Sequence, residues 1–313
     1  MTGGPADRVR TVYLGSGAFG APALRRLAGH PRIDLVAVVT APARPVGRHA
    51  VLTPTPIAAL AAELGVAPVL TPERLRAPES IAAVLALEPE LAVLADYGQI
   101  VPPPLLELRF GALNLHPSAL PRFRGASPVP ATIAAGDEDA AISLMRMDAG
   151  LDTGPILDQV RVPLTGRETG PELEARLAEL SADLLGSHLG PWLDGDIDAT
   201  PQAEDGIVLT RPLRRADGRL DPERPAIELE RLVRAYQPWP GTFAAFDGER
   251  LVVTQSRAEA GQPGDTLGAL VRHGQEPALA TIDGRLVLEQ VTPPGKRSMP
   301  GSDWLRGRRP ASG

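Results

Sequence analysis

Short, continuous apolar runs that alternate with segments of helical periodicity restrict the fold of this chain more than any other feature. The clearest runs are residues 35–39 and 91–95, and a third strand pattern, Ala112–His116, runs into prolines. Apolar runs without alternation are typical of strands buried on both faces, which occur in parallel sheets with helices on each side. The sequence therefore predicts an α/β domain built on a parallel sheet.

A change of pattern divides the chain near residue 200. Residues 194–209 are polar, and a helical segment follows at 226–236. Short strand patterns separated by glycines then predict a small β-barrel, at residues 242–246, 251–254, 278–282 and 286–290. The predicted fold class is α/β, with a Rossmann-like parallel-sheet domain at 1–193, a linker at 194–209 and a small OB-like β-barrel domain at 210–313.

Composition excludes several kinds of chemistry. The 313 residues include no cysteine, which excludes disulfides, a cysteine nucleophile and thiolate zinc sites. No secretory signal or long apolar stretch is evident, so we expect a cytoplasmic protein that does not enter a membrane. No His and Asp cluster has the spacing of metal ligands, so no metal is expected, and we also expect a monomer. The net charge is −6, yet residues 206–313 carry 16 basic and 13 acidic side chains. That excess has two explanations, a polyanionic partner or chance.

A glycine-rich loop follows the first strand pattern. Gly15-Ser16-Gly17-Ala18-Phe19-Gly20 matches the G-x-G-x-x-G pattern of dinucleotide-binding loops. Such loops are accompanied by an acidic residue about 20 positions later, at the end of the second strand. No Asp or Glu lies between Leu35 and Leu60, although Arg44 or Arg48 would suit NADP. The pattern leaves two alternatives, an NADP site and a tight turn between strand and helix.

Two polar residues at the end of a strand carry the strongest chemical signal. Asn114 and His116 are two positions apart, so their side chains share one face of the strand, at the end where parallel sheets place ligands. An amide and an imidazolium suit acyl transfer, because both donate to the oxygen that becomes negative. A carboxylate is needed to orient His116, and the residues alone leave Asp148 and Asp152 as alternatives.

The segment around this pair resembles a known family. Residues 114–125, Asn-Leu-His-Pro-Ser-Ala-Leu-Pro-Arg-Phe-Arg-Gly, are similar to the N-x-H-x-S-L-L-P-x-x-R-G segment of folate-dependent formyltransferases. The Leu-Asp-Thr-Gly context of Asp152 resembles that of the family's catalytic aspartate, which favours Asp152 over Asp148. The resemblance implies 10-formyltetrahydrofolate as formyl donor, with contacts from Ser118, Ala119, Leu120, Pro121 and the Tyr97-Gly98 turn.

Three further segments are similar to the methionyl-tRNA branch of this family. They are residues 41–48, 234–243 and 294–299, read as Ala-Pro-Ala-Arg-Pro-Val-Gly-Arg, Arg-Ala-Tyr-Gln-Pro-Trp-Pro-Gly-Thr-Phe and Pro-Gly-Lys-Arg-Ser-Met. The resemblance implies methionyl initiator tRNA as the formyl acceptor, contacted by Arg48, Lys296 and Arg297. A sugar-nucleotide formyltransferase and a tRNA-binding protein without turnover are the alternatives.

The chain departs from the family pattern at several positions. Gly17 replaces the proline of the G-T/S-P-x-F segment, and Asp96 stands where a small residue is common. The loop near Arg48 has Ala43 in place of an aspartate and His49-Ala50-Val51 in place of lysines. This loop therefore offers fewer cations to tRNA than the family pattern does.

Overall fold

The computed structural model describes residues 8–47, 50–246 and 248–308, and the chain forms two compact units. The N-terminal unit contains residues up to 126, together with 140–162 and 174–210. The C-terminal unit contains 127–139, 163–173 and the residues from 211 onward. The polar segment 194–209 thus belongs to the N-terminal unit.

Strands and helices have the following bounds. The strands of the N-terminal unit are β1 (Val9–Leu14), β2 (Ile33–Val39), β3 (Arg44–Val46), β4 (Val51–Thr53), β5 (Val69–Leu70), β6 (Leu91–Leu94), β7 (Ala112–His116), β8 (Arg124–Gly125), β9 (Asp139–Arg146), β10 (Ile156–Pro163) and β11 (Leu209–Thr210). The helices are α1 (Ala21–Ala28), α2 (Pro56–Glu63), α3 (Pro78–Leu85), α4 (Pro103–Leu106), α5 (Pro128–Ala135), α6 (Gly170–Asp194), α7 (Ala226–Ala235) and α8 (Gly301–Gly307). The strands of the C-terminal unit are β12 (Thr242–Phe246), β13 (Glu249–Glu259), β14 (Leu270–His273), β15 (Glu276–Ala280), β16 (Arg285–Thr292) and β17 (Met299–Pro300).

A seven-stranded sheet forms the centre of the N-terminal unit, in the order β10-β9-β7-β6-β1-β2-β5. β1 is parallel to β2 and β6, and β7 is parallel to β6, so the prediction of a parallel sheet is confirmed for these strands. β9 returns antiparallel to β7, an arrangement that is common at the margin of mostly parallel sheets. The carboxyl ends of β1, β6 and β7 therefore lie at one edge of the sheet.

Apolar side chains pack against the sheet and form a buried core. Every side chain of β6 is buried, and α1 turns Leu24 and Leu27 inward with no exposed surface. The i, i+3 spacing of these two leucines explains the orientation of α1, because it places both on one helix face. Tyr97 and Met147 pack against a buried cluster that includes Val12 and Leu14 of β1 and Ala92 and Leu94 of β6.

Residues 40–56, which include four prolines, contain secondary structure. β3 and β4 pair as an antiparallel ribbon, and α2 begins at Pro56 with the Thr55 hydroxyl accepting from the Ala58 N–H. Val46, Val51 and Leu52 are exposed on this ribbon. Arg48 and His49, which connect its strands, lie outside the described residues.

The C-terminal unit is an antiparallel half-barrel with strand order β12-β13-β16-β15-β14, and β17 pairs with β16. Its concave core combines Leu229, Leu232 and Val233 of α7 with Leu286 and Leu288 of β16. Within the described residues, β12 and β14 form the two edges and do not pair with each other. β14 was not expected from the sequence, because its residues are half-buried and include a charge.

Candidate active site

β7 brings Asn114 and His116 to the carboxyl edge of the sheet. Asn114 lies opposite Leu94 of β6 and Met145 of β9, while His116 lies opposite Ser143 of β9. Because successive side chains alternate across a strand, Leu113 and Leu115 point to the other face, and both are fully buried. The half-buried side chain of Asn114 makes no hydrogen bond to any described residue, so its amide is available to a ligand.

His116 is fixed through one ring nitrogen and faces a carboxylate with the other. Its Nε2 lies 2.9 Å from the Phe123 carbonyl oxygen, and since a carbonyl only accepts, Nε2 carries the hydrogen. Its Nδ1 faces Asp152 Oδ2 at 3.7 Å, with 7% and 14% of the two side chains exposed. That distance is too long for a hydrogen bond, and the pair attracts electrostatically only when the imidazole is protonated. Nδ1 is therefore the nitrogen left for chemistry.

The two aspartates of the loop after β9 have different positions. Asp148 is exposed and closes its own turn, accepting from the Gly150 N–H at 2.9 Å and the Thr153 hydroxyl at 2.6 Å. Asp152 instead accepts the Gly125 N–H at 2.7 Å and lies beside His116. The structure thus brings together Asn114, His116 and Asp152, and leaves Asp148 as a turn residue.

Left-handed backbone surrounds His116. Phe123, whose carbonyl accepts from the imidazole, has φ 60°, and Asp152 has φ 51°. Each non-glycine residue in this region costs about 1–2 kcal/mol relative to a right-handed conformation. Both partners of His116 are therefore held in conformations that their surroundings impose, as occurs where geometry serves function.

The expected folate segment, Ser118 to Pro121, follows β7 and is held by hydrogen bonds within the protein. The Ser118 hydroxyl is buried and donates to the Arg122 carbonyl at 2.7 Å, while the Ser143 hydroxyl donates to the Ser118 carbonyl at 2.7 Å. Leu120 is buried, and Ala119 and Pro121 are half-buried. The Ser118 N–H also donates to the His116 carbonyl at 2.8 Å, so hydroxyl, N–H and carbonyl of this residue all hold the segment in place.

The Tyr97-Gly98 turn lies at the same edge, after β6. The Tyr97 hydroxyl is buried and has no hydrogen-bond partner among the described residues, and burial raises the pKa of Tyr97 to about 12. Buried polar atoms are nearly always paired, so an orphaned hydroxyl indicates a missing ligand or water. Gly98 is exposed, with open space where a side chain would project.

The glycine-rich loop after β1 is already occupied by a carboxylate. Asp96 accepts the Gly17 N–H, and a Cβ built on Gly17 would lie 1.6 Å from Asp96 Oδ2. The Ser16 N–H donates to the Asp96 carbonyl at 2.9 Å, and the Ser16 hydroxyl accepts from the Ala41 N–H at 3.1 Å. Phosphate cradles need free N–H groups and no anion. This geometry favours the tight-turn explanation of the loop over an NADP site.

Lys296 and Arg297 lie in the exposed turn between β16 and β17. Their side chains form no ion pair with the described residues, so both cations are available to a partner. Arg48 lies outside the described residues. No helix in the described ranges is both long and apolar enough to cross a membrane, and no group of acidic and histidine side chains there is placed to hold a metal ion.

Sequence reasoning missed the residues that hold Asp152. Arg124 is 9% exposed, and its guanidinium donates to the Oε1 of Gln202, which belongs to the polar segment 194–209. A glutamine in a polar segment carries no distinguishing local pattern. Only the fold reveals this contact, because 78 positions separate the two residues.

An amide donor, a histidine with one open nitrogen and a carboxylate, at the carboxyl edge of an α/β sheet, define the geometry of an acyl-transfer enzyme that uses no covalent intermediate. Known proteins agree with this class. Residues 9–189 match the formyl transferase family, and residues 212–309 match the formyl transferase C-terminal domain. A methionyl-tRNA formyltransferase from Roseiflexus sp. (strain RS-1) is 42% identical over 308 residues, covering 97% of this chain and 94% of the relative. The chain therefore belongs to the methionyl-tRNA formyltransferase family.

Solved structures share the fold at low identity. Methionyl-tRNA formyltransferase from Clostridium thermocellum is similar with a TM-score of 0.56 and 16% identity, covering 82% of this chain and 95% of that one. An N-formyltransferase from Helicobacter canadensis, in complex with folinic acid and dTDP-3-aminofucose, is similar with a TM-score of 0.64 and 14% identity, covering 90% and 98%. At these identities the likeness concerns the fold alone.

Proposed function

We propose that this enzyme transfers the formyl group of 10-formyltetrahydrofolate to the α-amino group of methionyl initiator tRNA and so supports translation initiation. The observation that carries the proposal is the convergence of Asn114, His116 and Asp152 at one sheet edge in a chain of this family. The formylated acceptor follows from the full-length similarity to relatives named for methionyl-tRNA.

The folate would bind beside this group of residues. Segment 118–121 follows β7, and the Tyr97-Gly98 turn follows β6. These two strands are neighbours in the sheet. The orphaned Tyr97 hydroxyl offers a donor and an acceptor to the polar edge of a pterin. A structural neighbour from Helicobacter canadensis holds a folate derivative, which supports a folate as donor here.

The geometry suggests how each catalytic residue would act. As the neutral amine attacks the formyl carbon, a C–N bond forms and the carbonyl electron pair moves to oxygen, where the free Asn114 amide donates a hydrogen bond. The open Nδ1 of His116 accepts the proton that the amine loses, and Asp152 stabilises the resulting imidazolium. Collapse of the intermediate breaks the bond to the folate nitrogen, which receives that proton directly or through water.

The tRNA would be held by cations other than the catalytic residues. Lys296 and Arg297 offer exposed, unpaired charges to phosphates, and Arg48 offers another in the connection between β3 and β4. Each phosphate contact releases counterions, so binding through them weakens with salt.

We propose that the enzyme acts as a monomer in the cytoplasm.

Substitution of the three residues tests the mechanism. We expect Asn114→Ala, His116→Ala and Asp152→Asn each to lower kcat for formylation of methionyl initiator tRNA on the order of 10²–10³-fold. Asp148→Asn is the matched control, since it changes the other aspartate of the loop but keeps an acceptor for the Gly150 N–H. Retention of activity within about 10-fold of wild type in all three variants would contradict the assigned roles.

The acceptor is tested separately with the wild-type enzyme. Incubation with 10-formyltetrahydrofolate and either charged initiator tRNA or an amino-sugar nucleotide should formylate the tRNA alone. Formylation of only the sugar nucleotide would overturn the proposed substrate. Tight binding of charged tRNA without turnover would overturn the proposed activity.

A further inference from the structure

Gln202 makes four hydrogen bonds that join two segments of the active site. Its Nε2 donates to the carbonyl oxygens of Asp152 and Gly154, at 2.8 and 2.7 Å. Its Oε1 accepts from Nε and Nη2 of Arg124, at 3.0 and 2.8 Å. The side-chain amide is thus used completely in its two donor bonds and two acceptor bonds.

These bonds complete a closed ring around Asp152. Arg124 precedes Gly125, whose N–H donates to Asp152 Oδ2 at 2.7 Å. Gly125 therefore holds the carboxylate of Asp152. Gln202 holds the backbone carbonyl of Asp152 and also binds Arg124, the residue before Gly125. A displacement at any member of the ring changes the position of the carboxylate relative to His116.

The loop that carries Asp152 needs this support. Its base is closed at the end of β9, where the Arg146 N–H donates to the Pro155 carbonyl at 2.9 Å. Asp148 braces only the first part of the loop, through Gly150 and Thr153. Asp152 itself has a left-handed backbone, which is uncommon for a residue other than glycine even though aspartate adopts it more readily than most. The Gln202 amide is the described side chain that fixes the backbone carbonyl of Asp152.

We propose that Gln202, with Arg124, is a positioning residue for formyl transfer, which holds Asp152 at the correct distance from Nδ1 of His116. The inference rests on the proposed function of that site. Gln202 touches neither substrate nor reacting atoms, and its effect passes through the carboxylate. A shift of about 1 Å in such a group lowers rates on the order of 10²-fold.

Two substitutions separate positioning from folding. Gln202→Ala removes all four bonds, whereas Gln202→Glu keeps an acceptor for Arg124 but places an anion against the carbonyls of Asp152 and Gly154. We expect Gln202→Glu to keep a Tm close to wild type, because it forms an ion pair with a buried guanidinium. We expect both variants to lower kcat on the order of 10–10²-fold, with the KM for the folate donor little changed.

The split between kcat and KM gives a readout that a purely structural role would not move. A displaced Asp152 carboxylate lowers kcat of the enzyme that remains folded, whereas the KM for the folate donor stays close to wild type. Gln237→Ala is the control, because the Gln237 amide also donates to two backbone carbonyls, those of Val233 and Thr254, far from the site in sequence. It should lower the Tm without changing kcat measured well below that Tm.

The outcomes distinguish this inference from the proposed function. Absence of turnover by the wild-type enzyme would reject the proposed function, whatever the variants do. An active wild type whose Gln202→Glu variant keeps the same kcat would reject the positioning role. If Gln202→Ala does not fold, Gln202→Glu alone decides.

Discussion

Asp96 completes the turn after β1, and its position there raises its own pKa and that of two neighbours. It accepts the Gly17 N–H and remains open to solvent on one side, yet its crowded surroundings raise its pKa. Burial raises the pKa of both Glu174 and Tyr13, and the charge of Asp96 raises each of them further. The ionised form of Asp96 therefore disfavours the folded state at neutral pH.

The sign of this effect gives a prediction. A carboxyl whose pKa is raised on folding costs stability above that pKa, and the cost disappears as pH falls below the unfolded value of about 4. Asp96→Asn keeps an acceptor for Gly17 and removes the charge. Because much of Asp96 is exposed, we expect the Tm of the variant to exceed wild type at pH 7 by no more than about 1 °C, with the difference vanishing near pH 4. Thermal unfolding at both pH values measures it, with the exposed Asp34→Asn as control.

A constant Tm difference between pH 4 and pH 7, or a lower Tm at pH 7, would contradict this account of Asp96. The exposed Asp34 is a suitable comparison because its nearest cation, Arg10, lies 3.6 Å away at the surface.

The turn after β1 shows the same interaction at the scale of an element. The three atoms nearest to a Cβ on Gly17 all belong to the Asp96 carboxyl group, so the glycine is required by that neighbour. We expect Gly17→Ala to destabilise the enzyme by about 1–3 kcal/mol, because the carboxylate must move and lose its N–H donor. In an Asp96→Ala background the same change should cost less than about 0.5 kcal/mol.

Denaturant unfolding of the four proteins in this cycle measures the coupling. Gly20→Ala is the matched control, because its Cβ would meet the Tyr13 hydroxyl and the Ala95 carbonyl, which Asp96→Ala does not relieve. Equal costs of Gly17→Ala in the two backgrounds would show that Asp96 does not set the requirement for glycine.

Elements were predicted well where local pattern and burial agree. Two strands, Ala112–His116 and Thr242–Phe246, have the bounds expected from the sequence. The pair Asn114 and His116 was located from strand periodicity alone. β14 escaped prediction because it lies at a sheet edge, where burial leaves little periodic signal. The partner of His116 Nε2 is a backbone carbonyl, and no side-chain pattern specifies such a contact.

The remaining part of the site depends on long-range contacts. Asp152 was chosen over Asp148 through family resemblance, and geometry shows the physical difference between them. Gln202 reaches its partners across 48 to 78 positions of sequence. Hydrophobic periodicity reports burial along one element, so it carries no information about polar contacts of this range.

Charge is distributed unevenly over the whole molecule. Residues 206–313 carry a net charge of +3, from 16 basic and 13 acidic residues, within a chain of net charge −6. The remainder is therefore acidic, at −9. A net charge of one sign attracts ligands of the opposite sign, and the small basic excess lies in the part of the sequence that contains Lys296 and Arg297.

This distribution predicts a salt dependence for the acceptor. Raising the salt concentration should raise the KM for methionyl initiator tRNA while leaving the KM for the folate donor nearly constant. Lys296→Ala with Arg297→Ala should weaken tRNA binding at low salt and lower the slope of log Kd against log salt by about 1 for each phosphate that the variant no longer neutralises. Filter binding over a salt series measures both effects.

Arg272→Ala is the comparison for charge alone, since it removes an exposed arginine from β14 of the same sheet. If Arg272→Ala lowers the slope as much, per charge removed, as the double substitution of Lys296 and Arg297, the effect reflects general charge. It would then not indicate a phosphate contact at that turn.

The contact between Gly17 and Asp96 also constrains the history of the chain. With a side chain at position 17, the Asp96 carboxylate would have to leave its present position and lose the Gly17 N–H, so the contact forms most readily in a lineage that already has the glycine. Once both are present, replacing the glycine alone breaks the contact. The two substitutions therefore have a favoured order, and the second one makes the first harder to reverse.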